Sequence, residues 1–541
     1  MKKRDKILRS ILLKSSREKL REIKECRSKP IECQQYVFEH FIHCAKESKF
    51  GKEKGLDKVR NVKEFQSKVP IYNYNSFAPY IERVRNGENY LLWNQKVKWF
   101  ARSSGTSSQQ SKYIPITPDS LKFTHYGGMK MMLLNYIEQN ENTQIPTTKA
   151  LTLGGSIVCT HEKLRGGEIY SGDLSAIMIK HSPKIAEYVR VPKREVALLG
   201  DFDKKVELIA KSASKWNVSN FSGVPSWNLV MLNRILEKSR KSNLFEIWPN
   251  LEVFFHGGTN FLPYIEPYKR VIPSSDMYYV ENYNASEGYF AFQDEIDLQS
   301  NDKQKEMLIC TNNGIFYEFI PFQHLDSALE GDNSQVVTLE GVKTGIDYAI
   351  IISTYGGLYR YMPEDLVRFT SVNPYKLVVC GRTKLYINAF GEELMTENAE
   401  RAINSACKRY NAEITEFTVA PEFMDFSEDG QFKKGRHIWA IEFKTKELQK
   451  GSSSFNPELL NRFTSTLDME LSQVNSDYEA KRSNSSTLQE LKIESLREGT
   501  FYKWMEKRGK LGGQNKVPRL WRDKTYLEQL LNIDNNIDDR D

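Results

Sequence analysis

The chain has 541 residues, of which 40% are hydrophobic and 27% charged, a composition that excludes collagen-like and disordered classes. The length predicts two or more domains, and no apolar run approaches the roughly 18 to 20 residues that a membrane helix needs. The seven cysteines never show CxxC spacing and the eight histidines form no HExxH pattern, which argues against a disulfide framework and a zinc site. No signal-peptide cleavage pattern follows the N-terminal basic residues, so we expect a cytoplasmic protein.

The net charge of +7 is concentrated at the N-terminus. Residues 1–30 hold 12 Lys or Arg and 4 Asp or Glu, a local charge of +8, so the remaining residues sum to −1. We expect the apolar face of this basic helical segment to pack on its own domain; binding to nucleic acid or a membrane surface is the alternative. The apolar residues of that face are Ile7, Leu8, Ile11, Leu12, Leu20 and Ile23.

Helical and strand-like patterns alternate along the chain, which predicts an α/β fold with covered sheets. A helical pattern runs from Lys2 to about Ser48 and breaks at Pro30. Another extends from Ser120 to Glu138. Further predicted strands cover 150–158, 251–255, 277–281, 314–320 and 348–353, and further predicted helices cover 204–214 and 227–238.

The pattern changes near residue 382, where strand, turn and strand are followed by a helix after Thr396. Two alternating strands (415–421 and 437–443), a Gly-Ser-rich break and a long helix (457–475) come next. This order is typical of a small α+β domain with its own core. We therefore predict a large α/β domain over residues 1–381 and a smaller domain over 382–541.

The segment SSGTSSQQSKYIPIT, residues 103–117, lies between two strand-like runs. Small hydroxyls beside a glycine allow N–H and O–H groups to converge on a tetrahedral anion, and a lysine adds charge. Pro115 and Pro118 exclude a helix directly after the segment, so it is not a Walker loop. A polyphosphate clasp and an ordinary Ser-rich hairpin both fit this pattern. The candidate phosphate ligands are Ser103, Ser104, Thr106, Ser107 and Lys112.

The segment YYVENYNASEGYFAFQ ends a predicted strand with three complementary groups. Tyr283 offers an aromatic face for a base, Ser286 a hydroxyl for a phosphate and Glu287 a carboxylate for Mg²⁺. Taken alone, Glu287 is equally typical of a surface residue. The three together predict one part of a nucleotide site.

Two more segments add to this chemistry. In GGLYRYMPEDLVRF, Asp365 follows a strand and can accept hydrogen bonds from both ribose hydroxyls. In FFHGGTNFLPY, Gly257 and Gly258 follow an apolar strand, where bare backbone suits a flat ring. A salt-bridged aspartate and a tight turn are the simpler alternatives.

In this order the segments resemble the adenylate-forming superfamily that includes luciferases and acyl-CoA ligases. Within this superfamily, the sequence most resembles the auxin-responsive Gretchen Hagen family of acyl acid amido synthetases. Its Lys- and Asn-rich composition suggests a bacterial member. The likeness covers nearly the whole chain and rests on SSGTSSQQSKYIPIT, GVPSW, HGGTNFLPY, YNASEG, FYEFIP, GLYRYMPEDLVRF, NSDYEAKR and GGQNKVPRL.

The resemblance implies a multi-sheet adenylate-forming N-terminal domain and a small mobile C-terminal domain. It implies ATP and Mg²⁺ as cofactors, a carboxylic acid and an amino acid as substrates, and neither nucleic acid nor membrane as a partner; a monomer is the default expectation. A ligase that passes the acyl group to coenzyme A or a carrier thiol is the alternative.

The resemblance also implies roles for single residues. The phosphates of ATP would be held by Ser103, Ser104 and Thr106, and the α-phosphate region by Ser286. Tyr283 would stack on adenine, Glu287 would hold Mg²⁺ and Asp365 would bind the ribose. Three basic residues complete the set: Arg382 at the hinge, Lys384 as a second phosphate ligand and Lys516 as the C-terminal lysine that enters the site during adenylation.

Three positions depart from the family pattern. Gln109 stands where a glycine is common in the phosphate loop, and Met362 and Glu364 stand where a basic or small residue and a glycine are usual. None of these departures removes a named ligand. The sequence identifies neither the acid, nor the amine, nor the base that deprotonates the amine.

Overall fold

The computed structural model describes residues 3–103, 112–155, 162–164, 167–259, 261–298, 305–383, 386–427, 429–483, 487–508 and 517–536. These residues form two compact units. The first contains Met1–Ser103, Lys112–Val224 and Met231–Thr383, and the second contains Pro225–Val230 and the described part of Lys384–Asp541. Within the described ranges, no helix combines the length and hydrophobicity that crossing a bilayer requires. The cysteines in these ranges are free thiols.

Among the described residues up to residue 383, six helices precede the first strand, and helices and strands are then interspersed around the sheets, which confirms the predicted α/β class. The helices are α1 (Lys3–Ser15), α2 (Arg17–Ser28), α3 (Pro30–Ala45), α4 (Lys49–Glu53), α5 (Val62–Lys68), α6 (Tyr74–Arg85), α7 (Tyr126–Gln139), α8 (Leu174–His181), α9 (Ala186–Val189), α10 (Arg194–Ala197), α11 (Phe202–Ser212), α12 (Pro225–Ser239), α13 (Ile265–Val271) and α14 (Leu325–Leu329). The strands are β1 (Trp99–Ser103), β2 (Lys112–Ile116), β3 (Lys149–Thr152), β4 (Glu162–Leu164), β5 (Gly167–Gly172), β6 (Arg190–Val191), β7 (Val218–Gly223), β8 (Val253–Gly257), β9 (Tyr278–Ala285), β10 (Gly288–Phe292), β11 (Met307–Ile309), β12 (Ile315–Pro321), β13 (Val337–Thr338), β14 (Asp347–Thr354), β15 (Leu358–Tyr361), β16 (Asp365–Val372) and β17 (Tyr375–Arg382).

The N-terminal helices break at Pro30, as predicted, because proline suits the first position of α3 and cannot continue α2. A second break, between α1 and α2, was not predicted. Leu20 and Ile23 are buried, but Ile7 and Ile11 are 52% and 56% exposed. The predicted inward apolar face is therefore correct for α2 and wrong for these two residues of α1.

The first unit is built on a large sheet, for which the described residues give the order β13-β12-β14-β16-β17-β11-β10-β9-β8-β7-β3-β6, with β15 paired to β14. The neighbours from β9 to β6 run parallel, and those from β13 to β9 run antiparallel. A second sheet has the order β2-β1-β5-β4. The parallel strands end at one edge of the sheet, which is where ligands bind in α/β proteins.

The second unit is a small α+β structure. Its three-stranded sheet has the order β20-β23-β24. The elements are β18 (Tyr386–Ile387), β19 (Leu394–Met395), α15 (Thr396–Tyr410), β20 (Ile414–Glu422), β21 (Asp425–Phe426), β22 (Phe432–Lys433), β23 (Arg436–Phe443), α16 (Pro457–Val474), α17 (Ser476–Ser483), β24 (Lys492–Leu496), α18 (Thr500–Lys507) and α19 (Thr525–Asn535).

The NSDYEAKR motif of this unit has a structural role. The Asn475 side chain accepts hydrogen bonds from the backbone N–H groups of Asp477 and Tyr478. Asp468 accepts from the Tyr478 hydroxyl at 2.6 Å and from Arg482 Nε at 2.8 Å. Because these groups satisfy one another, the motif joins α16 to α17.

Arg360, at the end of the first unit's strand β15, is fully buried and has a left-handed backbone with φ of 42°. Its Nε donates to the Glu318 carboxylate at 3.1 Å, and Nη1 donates to the Val69 carbonyl at 2.8 Å. Nη2 donates to the Asn333 side chain at 2.8 Å. This network fixes the segment that leads into β16.

Arg360→Met is expected to lower the free energy of unfolding by about 3–5 kcal/mol, because it leaves the Glu318 charge buried without its counter-ion. Arg368→Met is the matched control, since Arg368 and its partner Asp347 are 46% and 36% exposed. An exposed pair contributes about 0–1 kcal/mol. Urea unfolding followed by tryptophan fluorescence measures both, and equal losses would contradict the importance of the buried network.

Candidate functional site

Ser286 and Glu287 are the two residues of the tight turn that joins β9 to β10, since Ala285 and Gly288 are register partners. Glu287 is buried, with 9% of its surface exposed, and Ser286 is half-buried. The turn places both side chains at the end of β9. Tyr283, also on β9, is buried and packs on Phe290 with 4.6 Å between ring centroids.

Asp365 binds two of the predicted residues directly. It accepts a hydrogen bond of 2.6 Å from the Tyr283 hydroxyl and one of 2.9 Å from Arg382 Nε. Asp365 and Arg382 are also register partners on β16 and β17. Burial and the nearby Asp365 charge raise the pKa of Tyr283 well above its ordinary value, so the phenol donates to the carboxylate.

The Tyr283–Asp365 bond shows that the sheet is strongly curved. In the strand order, β17, β11 and β10 separate β16 from β9. Four interstrand spacings amount to about 19 Å in a flat sheet, far beyond the reach of a tyrosine and an aspartate. Curvature therefore brings Tyr283 to Asp365, which lies 82 positions further along the chain.

Lys112, the predicted phosphate-binding lysine, is buried at the start of β2. Its Nζ lies 3.3 Å from Glu364 Oε2, and both side chains are less than a tenth exposed. Nζ also lies 5.8 Å from the Tyr74 ring centroid. The sequence predicted no role for Glu364 beyond a departure from the family pattern. The structure shows that it forms a buried ion pair with Lys112.

Glu287 carries the chemistry expected of a magnesium ligand. Burial raises its pKa to about 7, the charge of Lys112 opposes this rise, and the charge of Asp365 adds to it. Glu287 forms no ion pair with a residue in the described part of the chain. A desolvated carboxylate of this kind is stabilised by a cation.

A divalent cation fits here if substrate phosphates supply its other ligands. The described residues contain no cluster of three or more His, Cys, Asp or Glu side chains able to hold a metal. Mg²⁺ commonly uses one or two carboxylates together with phosphate oxygens and water. The fully buried Tyr361 hydroxyl, which has no hydrogen-bond partner among the described residues, interacts electrostatically with Glu287 and Glu364 and adds a polar group to this region.

Gly257 ends β8 and has a packing role, and Gly258 follows it directly. A Cβ atom on Gly257 would approach the Asn282 carbonyl oxygen to 2.3 Å. Asn282 in turn donates to the His256 carbonyl at 2.8 Å. Gly258 has a φ of 83°, which favours glycine. Binding of a base over these glycines stays a prediction.

His256 and Glu281 were not predicted from the sequence. They are register partners on the parallel strands β8 and β9, on the face that also carries Tyr283. Burial lowers the pKa of His256 to about 3 and raises that of Glu281 to about 7. The sequence motifs did not indicate this pair, because the two residues are 25 positions apart and become neighbours only through the register of β8 and β9.

Ser104, Thr106, Ser107, Lys384 and Lys516 lie outside the described residues, as does Gln109. Ser103 is the last residue of β1, and its backbone pairs with that of Lys112. The two flanking strands of the loop are therefore confirmed, whereas the phosphate ligands within it stay predictions.

The fold is similar to that of two solved ligases. A solved 2-hydroxyisobutyryl-CoA ligase has a TM-score of 0.54 and 12% identity, covering 94% of both chains. A solved acyl acid amido synthetase, AtGH3.15 in complex with 2,4-DB, has a TM-score of 0.57 and 18% identity, covering 95% of both chains.

The sequence identifies the family. It matches the GH3 family N-terminal domain over residues 19–277, the central domain over 308–382 and the C-terminal domain over 397–525. The chain belongs to the GH3 family, the Gretchen Hagen family predicted from the motifs. One relative, indole-3-acetic acid-amido synthetase GH3.4 of Arabidopsis thaliana, is 24% identical over 92% of this chain and 91% of its own length.

Glu281→Gln is expected to remove a pH dependence of stability. The pKa of Glu281 is about 7 in the folded protein against an ordinary 4.5, so between these values only the folded state holds the proton. The free energy of unfolding of the wild type therefore falls as the pH rises from 4.5 to 7. At pH 8 the variant should be more stable than the wild type by about 3 kcal/mol.

Urea unfolding at pH 5 and pH 8 measures this difference, which should shrink to about 1 kcal/mol at pH 5. Glu32→Gln is the control, because the Glu32 side chain is 72% exposed and pairs with Lys29 at the surface. A variant whose stability relative to the wild type is the same at both pH values would show that Glu281 is ionised normally.

Proposed function

We propose that the chain is an ATP-dependent acyl acid amido synthetase. It activates a carboxylic acid as an acyl-adenylate and joins the acyl group to an amino acid, releasing AMP and pyrophosphate. The observation that carries this proposal is the convergence of Tyr283, Asp365 and Arg382, held by hydrogen bonds at one end of the curved sheet. Membership of a family that contains amido synthetases supports it.

ATP is the nucleotide substrate in this proposal. Asp365 binds the ribose hydroxyls, Tyr283 and the backbone of Gly257 and Gly258 border the adenine, and Ser286 meets the α-phosphate. The remaining phosphate and hinge roles belong to basic and hydroxyl groups, namely Lys112, Arg382, Ser103, Ser104, Thr106, Ser107, Lys384 and Lys516.

Glu287 is the proposed magnesium ligand. Mg²⁺ there would neutralise charge on the phosphates of ATP. Its buried carboxylate supplies one ligand, and its position in the β9–β10 turn puts it beside Ser286. Lys112, whose charge already acts on Glu287, adds a second positive group to the same region.

The protein supplies positioning rather than a nucleophile. In the first half-reaction a substrate carboxylate oxygen attacks the α-phosphorus of ATP, and pyrophosphate leaves. In the second half-reaction the amine attacks the activated carbonyl carbon, and AMP leaves with the electron pair of the broken C–O bond. Fixed groups such as the Asp365 network lower the barrier by holding the reactants in line.

We also propose the domain organisation, the cellular location, the oligomeric state and the source of the protein. Residues 1–381 form the domain that binds ATP and the acid, and residues 382–541 form the mobile domain. The protein works as a cytoplasmic monomer on small molecules, without nucleic-acid or membrane partners, and comes from a bacterium, as its Lys- and Asn-rich composition suggests.

A thiol acceptor is the second candidate, because the fold itself does not separate the two outcomes. The solved amido synthetase and the solved CoA ligase have TM-scores of 0.57 and 0.54. The acceptor is decided by incubating the purified chain with ATP, Mg²⁺, an acid and either the 20 amino acids or coenzyme A. Mass spectrometry should find amides, while thioesters alone would overturn the amido assignment.

The acids for that assay are small aromatic, aliphatic and keto acids, each followed by pyrophosphate release. Indole-3-acetic acid and 2,4-DB come first, since two relatives are named with them. Absence of pyrophosphate release with every acid would contradict the proposed adenylation.

Glu287→Ala is expected to slow adenylation by about a hundredfold or more, the loss typical of removing one electrostatic stabiliser. ATP–pyrophosphate exchange with an accepted acid measures this rate. The melting temperature should not fall, because Glu287 is an ionisable group held in a desolvating site. Glu266→Ala, at a 72% exposed side chain, is the control and should exchange at the wild-type rate. Equal exchange in the two variants would remove Glu287 from the site.

A further inference from the structure

The ion pair of Lys112 and Glu364 is buried beside the proposed nucleotide site. Nζ and Oε2 are 3.3 Å apart, and the side chains are 5% and 7% exposed. Lys112 directly follows the Ser- and Thr-rich segment, and Glu364 directly precedes Asp365. In the sequence, the pair therefore joins the residue after the segment to which we assign the phosphates and the residue before the proposed ribose ligand Asp365.

Glu364 occupies its position at a conformational cost. Its φ is 73°, in the left-handed region that a non-glycine residue adopts only with strain. Its carbonyl accepts a hydrogen bond of 2.9 Å from the Thr383 N–H, so the backbone is held on the side of β17 as well. A glycine would adopt this backbone conformation without strain. We therefore infer that the carboxylate is the reason for a glutamate at this position.

Lys112 is shared by more than one carboxylate. Its ammonium contacts Glu364, and its charge also acts on Glu287. Arg382, the second cation of the cluster, is bound to Asp365. Among the described residues, these two cations face the carboxylates of Glu287, Glu364 and Asp365. An incoming anion that binds Lys112 must therefore compete with Glu364.

We propose that Glu364 is a built-in counter-ion that competes with the triphosphate of ATP for Lys112 and so weakens nucleotide binding. The inference rests on the proposed function. When phosphates bind, the Lys112 ammonium exchanges Glu364 for phosphate oxygens, and the cost of separating the buried pair is subtracted from the affinity. Glu364 is a positioning residue, since it acts through Lys112.

The competition predicts a difference between ligands. Removing the carboxylate charge should strengthen the binding of ATP and of inorganic tripolyphosphate, both of which need Lys112. It should not change the binding of adenosine, which has no phosphate. A merely structural effect of the substitution would instead weaken or strengthen all three.

The experiment measures these three dissociation constants by calorimetry on the full chain with Mg²⁺. In Glu364→Gln, those of ATP and tripolyphosphate should fall about tenfold, the scale of one charge-assisted hydrogen bond, with adenosine unchanged. Adding Lys112→Met should abolish the gain. The control is Glu498→Gln, at a 74% exposed side chain that pairs with Lys446.

Unchanged or weaker tripolyphosphate binding by a folded Glu364→Gln protein would overturn the inference, and so would an equal gain for adenosine. Should Glu364→Gln fail to fold, Glu364→Gly decides, because it removes the charge and relieves the left-handed backbone. Failure of the wild type to bind either ATP or tripolyphosphate would instead contradict the proposed function.

Discussion

A single carboxylate, Asp365, joins two parts of the large sheet that lie four strand spacings apart in its order. It does so by accepting hydrogen bonds from Tyr283 on β9 and from Arg382 on β17. A flat sheet would hold β9 and β16 about 19 Å apart, so the bond exists only because the antiparallel strands curl. The same curvature places the turn with Glu287 where the charges of Lys112 and Asp365 act on it.

The electrostatics of this region follow from its composition. In the part of the chain that the structure describes, Lys112 and Arg382 face three carboxylates, and burial removes the water that would otherwise screen these charges. Arg382 forms an ion pair with Asp365, and Lys112 forms one with Glu364. Burial raises the pKa of Glu287 to about 7. This arrangement suits the proposed polyphosphate and divalent cation, because the charge of the metal would offset that of the carboxylates.

The sequence predicted most elements, and it failed where a side chain's environment depends on distant segments. The break at Pro30 and the strands on each side of the Ser-rich segment follow from local rules that proline and alternating residues obey. The exposure of Ile7 and Ile11 does not follow from such rules, because helical spacing predicts an apolar face but not which other segment covers it. Arg360 is a further case, because no local rule predicts a fully buried arginine.

By itself, the sequence determined the α/β class and the family and predicted candidate groups for the site, because motifs and periodicity are local properties of the chain. Only the tertiary structure decided which groups meet. The pairs Tyr283–Asp365, Lys112–Glu364 and His256–Glu281 join residues 82, 252 and 25 positions apart. Such contacts depend on strand register and sheet curvature, which arise from the packing of the whole unit and leave no mark on any one segment.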